Sequence, residues 1–177
     1  MNRLALSRMV LFAATSVLPL ISAWNMAMAP SHPRHARVYL HRGGSRLIIA
    51  TVQYNQDGFA MEAPGPLSLT KWDDEDLAGS LRTALEQSGT VTRQYNAADR
   101  PSLKVSGESS DRAFQSTFVA LDVQEVAGPG QMFYRIDAVP DTKWQLVLRT
   151  SVSSDAPANE IARRILQMFE ACRDRRF

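Results

Sequence analysis

Four consecutive acids, Asp73, Asp74, Glu75 and Asp76, stand just ahead of a run of spaced leucines. Carboxylates in such number suit a hard divalent cation, acid–base catalysis, or a contact surface for a basic partner. Successive residues on a helix point about 100° apart, and no Asp-x-Asp-x-Asp-Gly loop accompanies them. The four therefore cannot converge on one ion without ligands from elsewhere. A helix start accounts for the same residues, because acids in a first turn face the positive end of the helix dipole and gain ~0.3–1 kcal/mol each.

The remaining reactive residues are sparse. His32 and His35 form an HxxH pair with His41 nearby, but a zinc site needs a third or fourth ligand brought in by the fold. The first two fall in a proline-broken, solvated linker, and His41 lies on the polar side of a strand. The serines of "SGESSD" (106–111) lack a Gly-x-Ser-x-Gly elbow and read as loop and N-cap residues. Cys172, the single cysteine, has no partner for an intrachain disulfide or a CxxC metal site; it sits on an apolar stripe, as an inert buried thiol does. "RGGSR" and "AGPGQ" read as hairpin turns rather than phosphate loops. Arg163, Arg164, Arg173, Arg175 and Arg176 have no interleaved aromatics and read as a solvated helix face. No pattern here assembles an active site, a metal site or a cofactor site, so the expected protein is not an enzyme.

Composition bounds the partners. The 177 residues, 45% hydrophobic and 21% charged, suffice for one domain with a core. The formal charge is +2, but Arg3 and Arg8 lie in a leader without acids, so residues 30–177 carry 18 basic and 18 acidic side chains. A neutral domain has no electrostatic footprint for nucleic acid. The leader itself, residues 1–29, has a short basic start, an apolar run over 9–24 broken by Pro19, and a small-residue "AMA" at 27–29, which together predict a signal peptide. Its apolar run is shorter than the ~20 residues of a spanning helix. Pro30 is a poor residue to follow a cleavage site, so a cut after Ala23 or an uncleaved membrane anchor stays open. Translation from Met26 or Met28 would instead leave a cytoplasmic protein.

The elements that must position these residues follow from periodicity. After the linker (30–36), "RVYLHR" alternates with Val38 and Leu40 on one face, and "RLIIATVQ" is apolar on both faces, so the two predict an antiparallel pair across "GGS". Leu77, Leu81, Ala84, Leu85 and Ser88 make one helical stripe. Thr70 or Asp73 can cap that helix, and Gly89 suits its C-terminal stop. Residues 90–100 read as a polar linker. "RPSLKVSGESSDRAF" predicts a short strand and a helical turn begun by Ser109 or Ser110. "STFVALDVQEV", "QMFYRIDAV" and "KWQLVLRTSV" predict a three-stranded meander with one wet face. "APANEIARRILQMFEACRDRR" predicts a second helix with Ile161, Ile165, Met168, Phe169 and Cys172 inward and Pro157 in its first turn. The expected domain, 37–177, is α+β: a mainly antiparallel sheet of about five to six strands with two amphipathic helices packed on it.

Two of these stretches carry a family resemblance. "LSLTKWDDEDLAGSLRTALEQS" is similar, through Asp74, Glu75, Leu77, Ala84, Leu85 and Ser88, to a pattern of acids, a Leu-Gly pair, an Ala-Leu pair and a serine. Ala78 stands where glycine is usual, with Gly79 one place later. "LKVSGESSDRAFQSTFVALDV" resembles, through Ser106, Gly107, Ser110 and Phe114, a Ser-Gly-x-x-Ser-x-x-x-Phe signature leading into a strand. In both, the chain resembles the immunity proteins of contact-dependent growth inhibition systems, and the likeness runs from about residue 37 to 172. It implies a non-enzymatic protein whose partner is the toxic C-terminal domain of a large secreted effector, blocked without covalent chemistry. Asp73, Asp74, Glu75 and Asp76 would then cover a basic groove on that toxin. The family acts in the cytoplasm whereas the leader points to export. A second class therefore stays open: an exported envelope protein that binds a small ligand or envelope component.

Overall fold

The computed structural model describes residues 32–92, 94, 96, 99–138 and 147–173. The leader, residues 30 and 31 of the expected linker, Trp144 and Leu146 of the expected last strand, and Arg175 and Arg176 lie outside them. The described chain is α+β, with a mostly antiparallel sheet and helices on both of its faces.

Strands β1 (His35–His41) and β2 (Leu47–Tyr54) pair antiparallel with Val38 opposite Ile49 and Leu40 opposite Leu47. Two short strands, β3 (Ala60–Glu62) and β4 (Leu67–Leu69), add antiparallel to β2. Helix α1 (Asp74–Glu86) follows, then β5 (Gly89–Thr90), which pairs in parallel with β2 at Gln53 and Tyr54. Two short helices, α2 (Pro101–Ser106) and α3 (Asp111–Thr117), lead into β6 (Phe118–Gly128). Strands β7 (Gln131–Ala138) and β8 (Arg149–Ser153) complete the meander, and α4 (Ala158–Arg173) closes the domain. The strand order is β3-β2-β1-β6-β7-β8.

Side-chain alternation assigns the two faces. Ala36, Val38 and Leu40 of β1 join Val119, Leu121 and Val123 of β6 under the stripes of α1 and α4. Leu77, Leu81 and Leu85 of α1, and Ile161 and Ile165 of α4, are at most 2% exposed, each gaining roughly 1.5–3 kcal/mol from burial. Cys172 is buried on the same α4 stripe. Pro157 accepts the Ile161 N–H (3.2 Å) at the start of α4. On the other face, Tyr39, Ile48, Ala50, Phe114 and Phe118 form a smaller cluster beneath α2 and α3.

Several local expectations are corrected. "PSLKV" is not a strand but helix α2: Pro101 occupies its first turn, where its missing N–H costs nothing, and Gly107 ends it at φ 81°. A left-handed residue of this kind terminates helices and favours glycine. Gly89 is not the stop of α1. Gln87 is the C-cap, and Gly89 opens β5. β1 begins at His35, so residues 35 and 36 of the expected linker belong to the sheet, held there by pairing with both β2 and β6. α2 and α3 bring the described helices to four.

Candidate functional site

At the start of α1 the four acids divide into two pairs. Asp73 is the N-cap, with extended backbone: its Oδ1 accepts the Asp76 N–H (2.9 Å), and Asp76 Oδ2 accepts the Asp73 N–H (3.2 Å). This reciprocal box satisfies two backbone donors that the helix leaves open. Asp74 and Glu75 take no part in it. Both are exposed, and neither has an ion-pair partner among the described residues. All four carboxylates share one helix end, and no cluster of three or more His, Cys, Asp or Glu placed to hold a metal occurs among the described residues.

Beside this helix end lies a groove of about 480 Å³ between α1 and the β2–β4 side of the sheet. Ile49 and Ala84 form part of its floor, Leu67 part of its lip, and Pro64 and Pro66 come from the turn between β3 and β4. Thr51, Ser80 and Thr83 bring hydroxyls, and Glu75 and Asp76 bring the charge. Apolar floor, polar wall and acidic rim suit a ligand with a long apolar body and a cationic or donor-rich end.

The opposite face holds a polar network that the sequence pattern had assigned to linker and strand surface. His35, placed in the solvated linker by its neighbouring prolines, is 4% exposed. Its Nε2 lies 3.1 Å from Asp122 Oδ1 and its Nδ1 2.9 Å from the Tyr54 hydroxyl. An ionised carboxylate only accepts, so Nε2 carries the proton and, in neutral histidine, Nδ1 accepts from Tyr54. The His35 N–H also donates to Ser88 Oγ (2.9 Å), joining β1 to the end of α1. Arg37 Nε donates to the same Asp122 oxygen (2.8 Å), and the Tyr39 hydroxyl donates to Glu62. The second oxygen of Glu62 accepts the Ser102 N–H (3.0 Å) at the start of α2.

Electrostatics follow from this packing. Burial alone would raise the Asp122 carboxyl, but the hydrogen bond from His35 and the Arg37 guanidinium outweigh it and hold Asp122 below the usual aspartate range. Burial pushes the phenols of Tyr39 and Tyr54 up. Burial opposes the charge on Arg37, but Tyr39 and Asp122 more than offset it, and its pKa is raised. Carboxylate, imidazole and hydroxyl in line form an acid–base relay in enzymes. Here Tyr54 is 9% exposed, and neither the groove nor a second pocket of about 160 Å³ is lined by His35 or Tyr54. The network ties β1, β2, β3, β6 and α2 together, and its Arg37, Tyr39, Glu62 and Ser102 line the second pocket.

The other candidate residues are dispersed. The His32 ring stacks on Tyr54 (centroids 4.2 Å apart), the same side chain whose hydroxyl meets His35 Nδ1. His41 packs edge-on against Phe118 and accepts the Gly43 N–H at Nδ1. Ser110 caps α3 by accepting the Ala113 N–H, Ser106 Oγ accepts the Glu108 N–H, and Phe114 stacks on Phe118. The signals that would have found the network are two: charged or polar residues at alternate positions, His35, Arg37 and Tyr39, and one acid inside the apolar run of β6, Asp122. Thr51 and the groove leave no comparable sign.

No protein-family model matches the chain, and no curated protein matches it. Among solved structures the chain is similar to "Protein of Unknown Function NMB0488 from Neisseria meningitidis", at 16% identity and a TM-score of 0.56. The likeness covers 80% of this chain and 96% of that one. At that identity it is a likeness of fold alone, and the α+β architecture is what the two proteins share.

Proposed function

We propose that this chain is a non-enzymatic immunity protein that binds the toxic C-terminal domain of a cognate contact-dependent growth inhibition effector and blocks it. The observation that carries this reading is the division of the acidic cluster: Asp73 and Asp76 account for the helix cap, while Asp74 and Glu75 remain exposed without an ion-pair partner among the described residues. Both lie in the first stretch that resembles the family. Surplus negative charge at a surface speeds encounter with a basic partner and selects for it. The residues of the second stretch, Ser106, Gly107, Ser110 and Phe114, serve caps, a left-handed turn and core packing, which supports a family likeness of scaffold with the contact surface set by the variable, exposed positions.

The test is growth protection. The toxic terminal domain of the effector encoded beside this gene is expressed in the cytoplasm with residues 30–177, and separately with the full chain. Rescue by residues 30–177 with co-elution of the two proteins establishes immunity by direct binding and a cytoplasmic site. Rescue by the full chain alone places protection in the envelope and makes the leader a working export signal. Failure of both removes the proposal for that effector.

A second reading, an exported protein that binds a small polar molecule, draws on the 160 Å³ pocket lined by Arg37, Tyr39, Glu62 and Ser102. Ser102 Oγ is buried there without a hydrogen-bond partner among the described residues. Failure of both rescue arms would bring this reading forward.

A further inference from the structure

We propose that the groove between α1 and the β2–β4 side of the sheet is a socket for one basic side chain, arginine or lysine, carried by a protein partner. The immunity reading above supplies only the identity of that partner.

Three observations point to such an occupant. Thr51 is 8% exposed, and its hydroxyl has no hydrogen-bond partner among the described residues. Strand alternation turns it to the α1 side with Ile49, where it lines the groove. The Thr51 oxygen is not among the fully buried atoms left without a partner; it opens onto the groove, where an arriving donor can reach it. The lining residues include Glu75 and Asp76 but no Lys, Arg or His. Glu75 has no hydrogen bond or ion pair among the described residues, where Asp76 uses one oxygen for the cap. Finally, the floor is apolar, with Ile49 2% and Ala84 6% exposed, and Leu67 stands on the lip 44% exposed. Lys and Arg side chains combine these needs, laying an aliphatic stem on apolar surface with the charged head at its end. Charge-assisted hydrogen bonds to carboxylates are among the strong ones.

A metal ion does not fit the same wall. Glu75 and Asp76 are successive helix residues whose side chains diverge by about 100°, and much of the remaining lining is apolar. A free polyamine would satisfy the groove but leave its surroundings unused. Asp74 lies outside the groove, exposed and without an ion-pair partner among the described residues, and Leu67 continues apolar surface over the lip. A side chain borne on a polypeptide brings neighbours that meet both.

The socket can be tested without any toxin. The ¹⁵N-labelled full chain is titrated at low salt with acetyl-Gly-Arg-Gly-amide, with the neutral citrulline analogue, and with spermidine. Saturable shifts at Thr51, Glu75 and Gly79 with the arginine peptide, about tenfold weaker with citrulline, are the expected result. Gly79→Phe should abolish them, because Gly79 lines the groove and a Cβ there meets no atom within 4 Å. Gly79→Ala should retain binding, and Glu75→Gln and Thr51→Val should each weaken it. Equal binding of the citrulline peptide, indifference to Gly79→Phe, or absence of saturable shifts overturns the socket. Tighter binding of spermidine than of the peptide assigns the groove to a free polyamine and also overturns it. Peptide binding without growth protection leaves the socket and removes the toxin as its partner. Protection that survives Gly79→Phe, with no peptide binding, does the reverse.

Discussion

On the side of the sheet under α1 and α4, β1 contributes Ala36, Val38 and Leu40, and β6 contributes Val119, Leu121 and Val123. One residue along, the same strands turn His35, Arg37 and Tyr39, and Phe118, Ala120 and Asp122, to the other side. The first face is held by burial of apolar area, which has no direction and grows with each methylene covered. The second is held in part by hydrogen bonds with named partners, so removing one group strands another. Two helices of 13 and 16 residues cover the first face. Two of only 6 and 7 residues cover part of the second, and the charged remainder, Arg135–Asp137–Arg149, stays at the surface. The difference teaches that one sheet can couple a generic core to a specific polar lock.

That contrast predicts how each face breaks. Leu81→Ala, at a fully buried α1 position, should lose about 2–5 kcal/mol in urea denaturation at any moderate pH. A much smaller loss would mean that the α1 face is not the main core. Asp122→Asn should cost about 1–3 kcal/mol at neutral pH, since His35 and Arg37 lose a charged acceptor, and its effect should depend on pH. The folded-state pKa of Asp122 lies below its unfolded value. Its contribution is therefore complete above the ordinary aspartate range and is lost as pH falls through the lowered folded value. Wild type should lose stability more steeply than Asp122→Asn across that acid window. Matching slopes would remove Asp122 from the lock. Asp73→Ala should cost about 1 kcal/mol through the lost cap, measured by the shift in denaturation midpoint. Smallest of all, Asp74→Asn should change stability by less than about 0.5 kcal/mol while slowing association with the proposed toxin partner and reducing its salt dependence. A stability loss as large as that of Asp73→Ala would show that the cluster acts as one cap after all.

The apolar face was the readable one. The stripe Leu77, Leu81, Leu85 and its counterpart Ile161, Ile165, Phe169 announce two helices, and alternation in β1, β6 and β7 announces strands, because each pattern is a local record of burial. Short elements were harder. Pro101 can precede either a strand or a helix start, and six residues carry too little periodicity to decide; α2 exists because its Ser102 N–H meets Glu62 and it helps cover Tyr39 and Ile48. Proline-rich surroundings pointed His35 to solvent, and pairing of β1 on both edges overrode them. Of the candidate site, the four acids and their capping role were legible. That the cap uses two and leaves two was not, since it depends on which side chains the helix turn brings within hydrogen-bond distance.

By itself the sequence determined the class of the fold, the two long helices and the apolar side of the sheet, because burial at periods of two and 3.6 residues is written locally. Tertiary structure alone decided the rest. The partners of His35 lie 19 and 87 residues away, and no local pattern encodes which distant carboxylate or phenol will meet an imidazole. The groove belongs to no segment: it is the space left where α1, β2 and the turn before β4 fail to close on one another.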